Sequence, residues 1–178
     1  MDAIISEQYV RAIKLRRDKI DSYDKYPWPR DGFFLRAESL FNLATDIEHL
    51  DEDLTAGPPI INSYGYRSLH EQSHGESFFA IMMHRFGGHG FYVLDEPEAA
   101  LSPTRQLAMI SRIHQLVRKR SQFVIATHSP MLMAYPNAWI YQIGAGGLER
   151  VSLEDTEHYV VAKRFLNDPH RQLAKILD

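Results

Sequence analysis

Gly90-Phe91-Tyr92-Val93-Leu94-Asp95-Glu96-Pro97 decides how this chain is read. A short apolar run ends in two carboxylates, and a proline stops the chain there. Phe, Tyr and Val in a run of this length predict a buried parallel strand. Such strands deliver functional residues at their carboxyl ends, where ligands sit in open α/β sheets. Asp95 and Glu96 are therefore expected at the mouth of a site. Adjacent acids on a strand point to opposite faces, so the two are expected to do different jobs.

Working outward, Ser102 caps a predicted helix with Pro103 at its first position. Leu107, Ile110, Ile113, His114 and Val117 are expected on its inner face. Arg118-Lys119-Arg120 closes it, which suits the helix dipole. Gln122–Thr127 then predicts a second buried strand ending in Thr127-His128-Ser129-Pro130. Strand, helix and strand make one βαβ unit, which brings His128 to the same mouth as Asp95 and Glu96. Upstream, Ser73 and Glu76 stand in capping-box spacing before an apolar stretch, Phe78 to Phe86. A helix start of that kind offers free N–H groups to an anion, and Gly75 permits close approach.

Further out the signals weaken. Residues 3–20 suggest a helix, residues 21–32 a loop, and Phe33–Arg36 a short strand running into a helix from Glu38 to about Leu50. Residues 55–68 read as a loop. Ala138–Ile143 and Leu148–Ser152 predict a hairpin, and residues 154–166 and 170–177 two closing helices split at Asp168-Pro169.

Composition bounds the class. The chain has 178 residues, 44% hydrophobic and 24% charged, enough for one domain spanning 1–178 with a real core. Its formal net charge of −3 gives no overall bias toward nucleic acid, which stays possible but unsupported. Cysteine is absent, which removes disulfides and thiol nucleophiles and fits a cytoplasmic location. No apolar run reaches membrane-spanning length, and Met1-Asp2-Ala3-Ile4-Ile5-Ser6-Glu7 lacks the basic start and apolar core of a signal peptide.

The order Ser-His-Gly-Glu, apolar-Asp-Glu-Pro, Ala-Ala-Leu-Ser and Thr-His-Ser-Pro resembles the heads of ABC-class ATPases, including the SMC-like and AAA-labelled predicted ATPases of bacteria. Ser73–Glu76 is similar to the signature, Phe91–Glu96 to Walker B, Ala99–Ser102 to the D-loop and His128 to the H-loop histidine. Phe33–Ser39 and Asp155–Tyr159 resemble further segments of a bacterial predicted-ATPase subgroup. The resemblance implies an α/β, P-loop NTPase-like fold with a parallel sheet and flanking helices. It implies Mg²⁺-dependent ATP hydrolysis, with Asp95 on Mg²⁺, Glu96 as base and His128 on the γ-phosphate. Ser73, Gly75 and Glu76 would meet a phosphate across a dimer, beside Ser102.

Two departures stand out. A Leu and a Gly of the usual signature are replaced, and no G-x-x-x-x-G-K-[S/T] occurs anywhere. The phosphate cradle would then come from a partner chain, in a homodimer or with a P-loop-bearing protein, or from a missing N-terminal part together with its strand. A sheet lacking that central strand is expected to expose an edge or groove. A non-catalytic partner module or remnant is the alternative from another class. A more distant one is a zinc peptidase, since His70-Glu71-Gln72-Ser73-His74 matches H-E-x-x-H. The other histidines, His158 among them, show no ligand spacing and are expected at the surface or in caps.

Overall fold

The structure, a computed structural model, describes residues 11–15, 29–52, 57–144 and 146–177. It is an α/β arrangement built on one six-stranded sheet of order β2-β3-β4-β1-β5-β6. The strands are β1 (Arg11–Leu15), β2 (Asp31–Arg36), β3 (Gly90–Asp95), β4 (Gln122–Ala126), β5 (Ala138–Gly144) and β6 (Gly147–Val151). The helices are α1 (Leu40–Asp51), α2 (His74–Ala80), α3 (Pro103–Arg118), α4 (Pro130–Met133), α5 (Glu157–Asn167) and α6 (Pro169–Leu177). None of them is long and apolar enough to cross a membrane.

β2, β3 and β4 are parallel neighbours, and β3-α3-β4 is the expected βαβ unit. Register sets one face of this part: Phe33 and Leu35 lie beside Tyr92 and Leu94, which lie beside Phe123 and Ile125. Five of those six side chains are buried, and all join the core. Against them pack Leu40, Ala44 and Ile47 of α1, Phe78 of α2, and Met109, Ile113 and Leu116 of α3. Tyr92 stacks on Phe86 with ring centroids 4.2 Å apart and planes at 9°. Gly90 is required beneath it, since a Cβ there would collide with the Tyr92 ring.

Several expectations change. β3 is not buried on both faces: Phe91 is 37% exposed, and Phe34 beside it on β2 is 62% exposed. Burial follows the period of 2 because the described helices that form the core lie on the Tyr92–Leu94 face. On α3 the buried stripe is Met109, Ile113 and Leu116, while Leu107 is 57% exposed. Ile113 was expected inside; the stripe runs at i, i+4, i+7 from Met109, a residue the expected face had left out.

The helix expected over residues 3–20 is a strand where it is described. β1 pairs antiparallel with β4 on one side and β5 on the other. Hydrogen bonding along both edges outweighs a weak helical pattern. The expectation was an exposed edge or a groove: the described sheet is hydrogen-bonded from β2 through to β6, so no groove opens within it, while β2 is left as an edge strand paired on the β3 side. The loop expected over 21–32 lies mostly outside the described residues.

Below Ala80 the helix widens into a π turn, Ile81–Arg85, whose end is secured from α3. Arg112 Nε donates to the Met82 carbonyl at 3.1 Å, and its Nη2 donates to those of Met83 and Phe86 at 3.0 and 2.9 Å. One guanidinium thus satisfies three carbonyls that the helix end leaves without partners.

Candidate functional site

Asp95 is the last residue of β3, with Arg36 of β2 and Ala126 of β4 beside it in register. Arg36 Nε lies 3.0 Å from Asp95 Oδ2, so this carboxylate already faces a cation. Glu96 leaves the strand in a left-handed conformation, φ 45° and ψ 50°. Pro97 disfavours the right-handed helical region for the residue before it, and the Glu96 N–H donates to Ala126 O at 2.9 Å. A bulky residue held at positive φ stores strain, and such residues gather at functional sites. The turn separates the two acids: Asp95 faces Arg36, while Glu96 Oε1 sits 3.3 Å from His128 Nε2.

His128 follows β4 in a turn of stacked local bonds. The buried Thr127 accepts from Ser129 N at 3.0 Å through its hydroxyl. Ser129 Oγ accepts from Leu132 N, capping α4, and donates to Gln106 Oε1 at 2.7 Å. Glu98, in the 3₁₀ turn Pro97–Ala100, accepts from His128 N at 2.5 Å and from Ser129 N at 3.2 Å through the same oxygen. The turn after β3 is thereby fastened to the turn after β4. On the other side of the imidazole, His128 Nδ1 lies 3.1 Å from His158 Nε2 of α5.

The Ser73–Glu76 start of α2 forms a second group. Ser73 N and Oγ both donate to Glu76 Oε2, at 3.0 and 2.6 Å. The Ser73 hydroxyl, helped by its N–H, holds the Glu76 carboxyl below the usual range. Glu76 Oε1 reaches Arg105 Nη2 of α3 at 3.5 Å. Gly75 is buried, and a Cβ there would overlap the Ala100 carbonyl oxygen, so its bare backbone accommodates the turn after β3. Ser102 caps α3 by accepting from Arg105 N at 3.4 Å. Ser73, Gly75 and Glu76 are thus tied to the Ala100–Arg105 stretch that includes Ser102. His74 joins this group to the end of β2 through a 2.7 Å hydrogen bond between its Nε2 and Ala37 O.

The H-E-x-x-H spacing does not form a metal site. α2 begins at His74, so His70 and His74 do not share a helix. His70 Nε2 is hydrogen-bonded to Thr45 Oγ1 at 3.1 Å, and His74 is engaged with Ala37 O. Among the described residues no group of three or more His, Cys, Asp and Glu side chains is placed to hold a metal ion. Asp95 could serve Mg²⁺ as a single carboxylate through Oδ1, with Oδ2 held by Arg36; Mg²⁺ commonly takes one or two carboxylates beside waters and phosphates.

Three participants escaped the sequence reading. Arg36 was read as a strand residue and as part of the Phe33–Ser39 resemblance, with no role beside Asp95, although its position at the end of β2 hinted at one. Glu98 sits two residues after Glu96, a spacing with no signature of its own. His158 was expected at the surface or in a cap; instead, buried Thr156 anchors the start of α5 and brings it to His128. No family model, no curated protein and no solved structure matches this chain.

Proposed function

We propose that the chain supplies the hydrolytic wall of a Mg²⁺-dependent, ABC-type ATPase site whose phosphate cradle comes from a P-loop outside these residues. The contact between Glu96 Oε1 and His128 Nε2, at 3.3 Å across the ends of two adjacent parallel strands, carries the reading. A carboxylate there can orient and deprotonate an attacking water, and an imidazole can donate to a terminal phosphate oxygen. Asp95 Oδ1 would take Mg²⁺, which would draw charge off the phosphates during transfer. Ser73, Glu76 and Ser102 belong to the surface facing a nucleotide held by a second chain, in a homodimer or with a P-loop-bearing partner, while Gly75 supports them from behind, buried against Ala100.

The test compares ATP hydrolysis by this chain alone with the chain joined to, or mixed with, a P-loop-bearing segment. Activity is expected only in the second case, and Glu96→Gln is expected to lower it by about 10²- to 10⁴-fold. Equal activity in the Gln variant removes Glu96 as the base, and no hydrolysis in any combination removes the ATPase reading. One observation favours a second reading, a module that caps a partner's nucleotide without hydrolysing it: Asp95 is already paired with Arg36. That reading predicts nucleotide binding by the pair of chains with no turnover.

A further inference from the structure

His128 lies between two groups that constrain where its protons sit. Its Nε2 is 3.3 Å from a Glu96 oxygen, and an ionised carboxylate can only accept a hydrogen bond. The negative charge there favours a proton on Nε2 and repels the lone pair of a bare nitrogen. In the neutral ring this leaves Nδ1 bare, an acceptor that needs a donor. The atom facing it is His158 Nε2 at 3.1 Å, with ring centroids 4.9 Å apart and planes at 27°. The two contacts are mutually consistent only if His158 also carries its proton on Nε2. The backbone of His128 is held independently, its N–H donating to Glu98.

We infer that His158 is a positioning residue: its Nε2–H donates to His128 Nδ1, which fixes the His128 ring and holds it as the Nε2–H tautomer. The two nitrogens of an imidazole are distinct, and the partner of one decides what the other can offer. Held this way, His128 presents a donor at the strand mouth, suited to an anionic oxygen. Its use on a terminal phosphate rests on the function proposed above, whereas the tautomer assignment does not. Nothing in the spacing of residues 128 and 158 announces the pair; α5 has to dock for it to form.

The test is nitrogen NMR of the full chain with labelled histidine, at an alkaline pH where the ring nitrogen shifts themselves report neutral imidazoles. The expected result is a protonated Nε2 and bare Nδ1 in both His128 and His158. His158→Leu, which offers no donor, is expected to spread His128 over both tautomers, while His158→Gln, whose amide can donate, restores the single Nε2–H form. A wild-type His158 protonated on Nδ1 overturns the inference without recourse to any variant. So does a folded His158→Leu protein in which His128 keeps a single Nε2–H tautomer. No nucleotide is needed. Correct tautomers with no ATP turnover in the P-loop experiment would sink the proposed function alone, and turnover with the wrong tautomers would sink the positioning role alone.

Discussion

Glu98→Ala removes the side chain that fastens the turn after β3 to the turn after β4. In the folded protein one Glu98 oxygen accepts from His128 N at 2.5 Å and from Ser129 N at 3.2 Å. Ser129 N has a second acceptor, Thr127 Oγ1, at 3.0 Å, so its loss is small. His128 N has no such substitute and is left without its acceptor. A hydrogen bond to a charged group contributes about 1.5–3 kcal/mol, and an orphaned donor costs toward the upper end of that range. The other Glu98 oxygen works against this, since it is buried with no hydrogen-bond partner among the described residues. The net expectation is a loss of about 2 kcal/mol, or a melting temperature lower by roughly 4–8 °C for a chain of this size. Glu98→Gln is expected to be no better. Its oxygen can still accept, but its NH₂ would occupy the buried position that lacks a partner. Denaturant unfolding measures the loss, and amide exchange at His128 shows where it falls. An Ala variant within about 0.5 kcal/mol of wild type, with unchanged exchange at His128, would refute the idea that this carboxylate ties the two turns together.

Two further changes test the packing around the site. Gly75→Ala in an exposed helix would stabilise by about 1 kcal/mol, but here the methyl would overlap the Ala100 carbonyl oxygen and come within 2.9 Å of Arg105 Nη1, so a net loss of roughly 1–2 kcal/mol is expected in thermal unfolding. A gain would show that the turn after β3 is free to move. The Tyr92 hydroxyl is pushed up from 10.0 to about 12 by burial, then by its hydrogen bond to Asp31. Below pH 10 both folded and unfolded chains keep this proton, so the residue adds no pH dependence. Between about 10 and 12 the unfolded chain sheds it first, and stability falls by on the order of 2–3 kcal/mol. Tyr92→Phe starts from a lower stability, because Gly87 N loses its 2.8 Å acceptor, and should lack that alkaline slope; an unchanged slope assigns it to another group.

What was legible in the sequence followed from strong local signals. The run Gly90–Asp95 carried period, composition and a stop in one stretch, and both it and β4 fall where they were expected. Ser73 with Glu76 and Ser102 with Pro103 marked two helix starts by capping chemistry, which depends only on near neighbours. Arg11–Leu15 was misread for the opposite reason: its strand exists through pairing with β4 and β5, more than a hundred residues away along the chain. Glu98, Arg36 and His158 were illegible in the same way, because each acts on a residue brought to it by sheet register or helix docking.

The left-handed turn at Glu96 explains how two adjacent acids acquire separate surroundings. Had the chain continued as an extended strand, Glu96 would have pointed to the opposite face from Asp95, toward the Tyr92–Leu94 core side. A carboxylate sent there would need a buried partner at high cost. Turning through positive φ instead sends it along the strand mouth to His128, while Asp95 stays with Arg36. The conformation costs about 1–2 kcal/mol for a residue with a Cβ. Glycine would relieve that strain, but it would leave His128 Nε2 without a carboxylate to meet. Pro97, the Glu96 N–H bond to Ala126 O and the Glu98 contacts to the next turn together hold the chain in this state. Strain at Glu96 and the fastening by Glu98 are two parts of one arrangement, and its product is the position of a carboxylate against an imidazole.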